Sequence, residues 1–266
     1  MTSSLRPVKR YSIEQCFVPL LTSSESFILS YDEHPRPLVR LFNSGCHQIT
    51  CIFLPTLLVD MCYSSYLDVF LLLTSQCLYK LNPSIGQLEH IDDYELLKEN
   101  RFLSSLCSTN DHRLFILYRF GEYLDEYPRG KRIWKRRHLC DSLSEDISLI
   151  RSSCTIDNPH LFLLGLLIVE WNGTWRVDIF SSSVQKLHTG FRFSGWTRDV
   201  WLSNWSPYEC WFVGSRCRLM IDSKGQPKNI SVDGVDCDMK NIACMKQIDQ
   251  IKLMVIREEK LLIFFK

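Results

Sequence analysis

Glycine and proline are scarce in this chain, at 11 and 10 of 266 residues. That excludes a low-complexity or collagen-like polymer. Charge of one sign is missing too. The 31 basic and 30 acidic residues leave a net charge of +1. No whole-domain field therefore draws in nucleic acid or an anionic membrane. Long apolar runs are lacking: the longest, residues 161–169, is interrupted by Gly165 and is too short to cross a bilayer. Residues 1–10 hold no apolar core of the secretory type, so the expected location is the cytoplasm, with the nucleus as an alternative.

Catalytic and metal-binding signatures are missing as well. The twelve cysteines include no Cys-x-x-Cys pair, which a zinc ribbon needs to converge thiolates on one ion. Cys46-His47 with Cys51, and His138 with Cys140 and Asp141, are the densest donor groups, and neither has a recognised ligand spacing. No Gly-x-Ser-x-Gly elbow presents a nucleophile, and no glycine-rich loop cradles phosphate. The expectation is no enzyme, no cofactor and no metal. Most of the cysteines lie inside apolar runs and read as small buried hydrophobes in a reducing compartment.

What the chain does have is a repeat. An apolar run, a short turn, a second run and a longer polar turn recur. The copies occupy residues 68–81, 113–127, 161–180, 210–221 and 252–265, with a weaker one at 16–31. Asn172-Gly173 suits a two-residue hairpin turn, and Gly121 and Gly214 sit at equivalent turns. Trp175-Arg176-Val177-Asp178-Ile179 alternates as a half-buried strand does, whereas Val69-Phe70-Leu71-Leu72-Leu73 reads as a strand covered on both faces.

Before each hairpin comes another short segment ending in small polar residues. Examples are Cys62-Tyr63-Ser64-Ser65, Leu106-Cys107-Ser108-Thr109, Ile150-Arg151-Ser152-Ser153 and Trp201-Leu202-Ser203-Asn204. Cys62 and Cys107 are 45 residues apart, and Cys107 and Cys154 are 47 apart. Small side chains at one repeated place suit crowded strands around a central channel. The best helical stretch, 92–100, falls between modules, with Asp92 as its cap.

Modules of about 44 residues fill the 266 residues six times. In period and hairpin pattern the chain resembles the WD40-like and related β-propeller superfamily. It departs from that pattern in lacking the Gly-His and Trp-Asp dipeptides. The resemblance implies an all-β fold, a single β-propeller over residues 1–266 with about six four-stranded blades. Five and seven blades also fit. The last module is about two strands long, and a strand from residues 8–13 or 17–21 would complete its sheet and close the ring.

Two surface features carry candidate binding chemistry. Lys131, Arg132, Trp134, Lys135, Arg136 and Arg137 form a basic run around one aromatic. It fits phosphate contact or nuclear import, and it equally fits a solvated outer strand neutralised by Glu122, Asp125 and Glu126. The aromatic cluster of Trp196, Trp201, Trp205 and Trp211 fits either packing between blades or a partner anchor. Trp205, Arg198 and Trp196 are the partner-binding candidates. The expected function is a non-enzymatic scaffold, monomeric on its own, that presents loops to protein partners. The alternatives are an enzyme with a central-channel site, and a nuclear or RNA-associated protein using residues 131–138. A channel lined by serine and threonine favours the scaffold, and clustered acids or histidines favour the enzyme.

Overall fold

The computed structural model describes residues 7–12, 21–24, 26–33, 36–91, 103–109, 111–118, 123–128, 135–138, 145–154, 162–194, 201–204, 211–214, 219–228, 253–257 and 261–265. These residues are all β: they form 24 strands and no helix. The helical stretch expected at 92–100 lies outside the described residues. None of the described residues belongs to a helix long and apolar enough to cross a membrane.

β1 (Pro7–Ser12) opens the chain, and its partners come last. Five antiparallel sheets follow in chain order. The first holds β2 (Leu21–Ser23), β3 (Phe27–Asp32), β4 (Leu38–Asn43) and β5 (Gln48–Phe53). The second holds β6 (Leu58–Ser64), β7 (Val69–Thr74), β8 (Leu78–Asn82) and β9 (Gln87–Ile91). The third holds β10 (Leu103–Ser108), β11 (Arg113–Tyr118), β12 (Tyr123–Pro128) and β13 (Lys135–His138). In the fourth, β14 (Glu145–Cys154), β15 (Phe162–Glu170), β16 (Thr174–Phe180) and β17 (Lys186–His188) pair in order, and β18 (Arg192–Ser194) also pairs with β16. The fifth holds β19 (Trp201–Asn204), β20 (Trp211–Gly214), β21 (Leu219–Ile221) and β22 (Pro227–Lys228). The sixth sheet joins β23 (Leu253–Arg257), β24 (Leu261–Phe265) and β1, with Arg10 opposite Ile263.

The second strand of each sheet explains why sheets stack. β7 is buried along its whole length. Its side chains alternate between two cores, as the two faces of a strand require. Phe70 and Leu72 pack with Leu29, Val39 and Leu41 of the first sheet. Val69, Leu71 and Leu73 pack with Leu106, Leu114 and Ile116 of the third. β11 repeats the arrangement: Phe115 and Leu117 turn to Ile147, Phe162 and Leu164 of the fourth sheet. Leu167 of β15 then meets Trp175, Val177, Leu202 and Ile221, which ties the fourth sheet to the fifth. A continuous apolar run is thus a strand sandwiched between two neighbouring sheets.

Three local expectations need correction. The turn at Asn172-Gly173 has three residues, 171–173, with Gly173 alone at positive φ (+79°). The Gly173 N–H donates to the Glu170 carbonyl (2.8 Å), and a single left-handed glycine closes the loop. The module at 16–31, with its turn expected at Thr22 to Glu25, has its hairpin shifted, because Thr22 and Ser23 belong to β2. The β16 strand is not half-buried, since Trp175, Arg176, Val177, Asp178 and Ile179 are all buried. Its polar face is covered by an ion-pair network, described below.

Candidate functional site

The first strands β6, β10 and β14 lie side by side, one from each of three successive sheets. Asp60, on β6, is fully buried. A buried carboxylate is tolerated only with a full set of partners. It has them from two strands besides its own. Arg151, on β14, meets it with both terminal nitrogens, Nη1 to Oδ2 at 2.7 Å and Nη2 to Oδ1 at 2.8 Å. Ser105 Oγ and the Leu106 N–H, both on β10, donate to Oδ2 at 2.6 and 2.8 Å. The Met61 N–H donates to Oδ1 at 2.8 Å.

The guanidinium is saturated in turn. Arg151 Nη1 also lies 3.0 Å from Ser105 Oγ and 2.8 Å from the Ile150 carbonyl. Burial works against its charge, but the charge and hydrogen bonds of Asp60 more than offset this and raise its pKa. One turn of the pleat further on, Ser108 Oγ donates to Ser64 Oγ (3.0 Å), and Ser152 Oγ donates to the Ser108 carbonyl (2.9 Å). Asp60 with Ser105, and Ser64 with Ser108, each join β6 to β10 at one level. The three strands therefore run in the same direction. Between these levels sit Cys62 and Cys107. Burial pushes both thiols up, Cys107 to about 11.

A second buried cation occupies β16. Arg176 pairs with Asp178 (2.9 Å), Glu145 (2.9 Å) and Glu170 (2.5 Å). Burial would depress it, yet the hydrogen bonds to Glu145 and Asp178 hold it above its usual value. Glu170 also accepts from Arg192 Nε (2.8 Å), the main reason its carboxyl titrates below the usual range. Asp178 accepts from the Gly190 N–H (3.0 Å) and pairs with Lys186. Gly190 must be glycine: a Cβ there would stand 2.0 Å from the Val177 carbonyl oxygen. A third arginine, Arg113, pairs with Asp111 and Glu126 and lies 4.7 Å over the Phe162 ring.

These carboxylates are matched by guanidinium groups and hydrogen bonds. That chemistry holds neighbouring strands in place. Among the described residues, no three histidine, cysteine or acidic side chains converge as a metal site would require.

Apolar groups at the sheet ends are open instead. Tyr66 and Leu67, in the β6–β7 turn, are about half exposed, and Ile85, in the β8–β9 turn, is 65% exposed. Both turns lie at one end of the second sheet, because its strands alternate in direction. The Tyr66 ring meets His112 of the β10–β11 turn at a tilt of 44°, with ring centroids 3.9 Å apart, which carries this end on to the third sheet. Trp171, in the β15–β16 turn, is 83% exposed.

The residues singled out from sequence fare as follows. Trp196, Arg198 and Trp205 lie outside the described residues, as do Lys131, Arg132 and Trp134. Lys135, Arg136 and Arg137 form most of the outer strand β13, opposite Glu126, Asp125 and Leu124 in register. Lys135 and Arg136 thus stand opposite acidic positions in one ladder. Cys46 and Cys107 are buried, Cys62 and Cys77 partly so, and Cys51 is exposed; all five are free thiols. Cys51 therefore departs from the buried role expected of it. Sequence reasoning missed Asp60, Arg151, Arg176 and Tyr66. The spacing of 45 between Asp60 and Ser105 was the available signal, because it equals the Cys62–Cys107 interval.

A scan against protein-family models finds no match for this chain, and a search of curated proteins finds none either.

Proposed function

We propose that the chain is a closed β-propeller of six blades, related in architecture to the WD40-like superfamily, and works as a non-enzymatic protein-interaction module. Consecutive sheets stacked through shared cores support the ring. So does the sheet that unites β1 with β23 and β24, because it brings the two ends of the described chain together. A closed ring leaves no sheet at the end of a stack.

The observation that carries the functional reading is a division of labour. The buried charges Asp60 and Arg151, from the second and fourth sheets, satisfy each other with the help of Ser105 from the third, while Tyr66, Leu67 and Ile85 stand exposed at one end of the second sheet. Aromatic and aliphatic anchors on a rigid frame bind with little loss of side-chain entropy. The partner is a protein with a complementary apolar surface rimmed by polar groups.

The test is purification of the full chain with its bound proteins, compared with the Tyr66→Ala and Ile85→Asp variants. Loss of at least one partner with unchanged folding supports the reading. An unchanged set of partners contradicts it. Ring closure has its own test in solution scattering, where a compact wheel of this length gives a radius of gyration of about 18 Å. An open stack gives a distinctly larger value.

A further inference from the structure

The outer strands protect their free edges with charge or proline, with one exception. β9 carries Glu89, paired with Lys80 at 2.8 Å. β13 is Lys-Arg-Arg-His, β17 is Lys-Leu-His, and β22 is Pro-Lys. Such residues discourage a second strand from adding to the edge. β5, Gln48-Ile49-Thr50-Cys51-Ile52-Phe53, carries neither charge nor proline. All six residues are exposed or half-buried, with Ile49 at 49% and Phe53 at 64% exposure. Among the described strands it pairs with β4 alone.

The ladder between β4 and β5 sets which backbone groups face outward. The Leu54 N–H donates to the Pro37 carbonyl (2.9 Å), and the register continues Leu38↔Phe53, Val39↔Ile52, Arg40↔Cys51. Hydrogen-bonded and non-hydrogen-bonded pairs alternate along an antiparallel ladder. Counting from Pro37 and Leu54, Cys51 and Phe53 turn their N–H and C=O groups away from β4, toward the open edge. A bulge near Ile49 ends the regular edge.

We propose that two copies of this chain associate by antiparallel pairing of their β5 strands about a twofold axis at Cys51. Twofold pairing of identical antiparallel strands sets one residue opposite itself, hydrogen-bonded in both directions. Cys51 meets the backbone requirement and is the small residue at the middle of the Ile49, Cys51 and Phe53 row. Ile49 then faces Phe53 of the second copy, and Thr50 faces its Ile52. No like charges meet along this strand, and a net charge of +1 adds little repulsion between copies. A five-residue pairing buries less than the roughly 1,200 Å² of a stable interface. The dimer therefore falls in the weak, concentration-dependent class of associations. It depends on β4 and β5 alone, and stands whether or not the sheets close into a ring.

The test is sedimentation equilibrium of the full chain across concentration, together with the exposed variants Cys51→Asp and Cys51→Lys. Thermal melts of both variants that match the parent show that folding is intact. The expected result is a concentration-dependent dimer, weakened at least tenfold in either variant and restored when the two variants are mixed. A bismaleimide cross-linker should join parent copies and fail on Cys51→Ser. A dimer indifferent to charge at Cys51 overturns the proposal. So does a chain that stays monomeric, whether or not it takes up an added Val-Thr-Val-Thr-Val-Thr peptide; uptake would assign the edge to a strand from a different protein.

Discussion

The inner strands β6, β10 and β14 and the outer strands β9, β13 and β17 both carry ionisable residues, and they use them in opposite ways. On the inner strands Asp60 and Arg151 are buried, mutually saturated, and linked through Ser105 on the strand between them. On the outer strand β9, Glu89 pairs with Lys80 near the surface, with both side chains 42% exposed. The same chemical pairing therefore means different things. A surface pair contributes little because water and salt screen it. A buried pair sets geometry, because neither partner can be left alone without a large desolvation cost. In this fold the buried pair and Ser105 link three sheets, whereas charge on an outer strand is of the kind that discourages edge pairing.

The largest break in this comparison is Arg151→Met. It strands Asp60 in a dry site and should cost about 3–5 kcal/mol in urea unfolding. Gly190→Ala comes next. The new Cβ collides with the Val177 backbone beside the Arg176 network, and a loss of about 1–3 kcal/mol is expected.

A pH experiment sharpens the contrast further. Cys107 has its thiol pKa raised by burial from 9.0 to about 11, so the native state favours the neutral form. That contribution is complete below pH 9 and is lost as pH rises through about 11. Stability should fall across this window by at most about 1.4 kcal/mol per pH unit for this thiol, and Cys107→Ala should flatten the slope. At the small end, Lys80→Ala, which removes the surface pair with Glu89, should change stability by less than about 0.5 kcal/mol.

The parts of this fold legible in sequence were those written by local pattern. The run at 113–118 and the covered run at 69–73 announce strands through continuous apolar residues, and β11 and β7 occupy those places. The small residues Ser64, Ser108 and Ser152 recur at near-constant spacing because adjacent inner strands approach closely enough to hydrogen-bond. Other features had no local signature. Arg151 finds Asp60 at a separation of 91 residues, which no window along the chain reveals. β17 and β22 are too short and polar to show a period. Arg176 and Asp178 alternate with apolar neighbours as solvent-facing residues do, and only the arrival of Glu145, Glu170 and Lys186 from other strands buries them. Ile49, Cys51 and Phe53 look like core residues in sequence, yet they are exposed together on one face of the outer strand β5.

The most direct test of the inner-strand account is a double-mutant cycle on Asp60 and Arg151, read by urea unfolding of Asp60→Leu, Arg151→Met and the two combined. A shared buried pair predicts a coupling energy of at least about 2 kcal/mol, with the double variant more stable than Arg151→Met alone. Losses that simply add would contradict it, and would mean that the three sheets are held in register by something other than this pair.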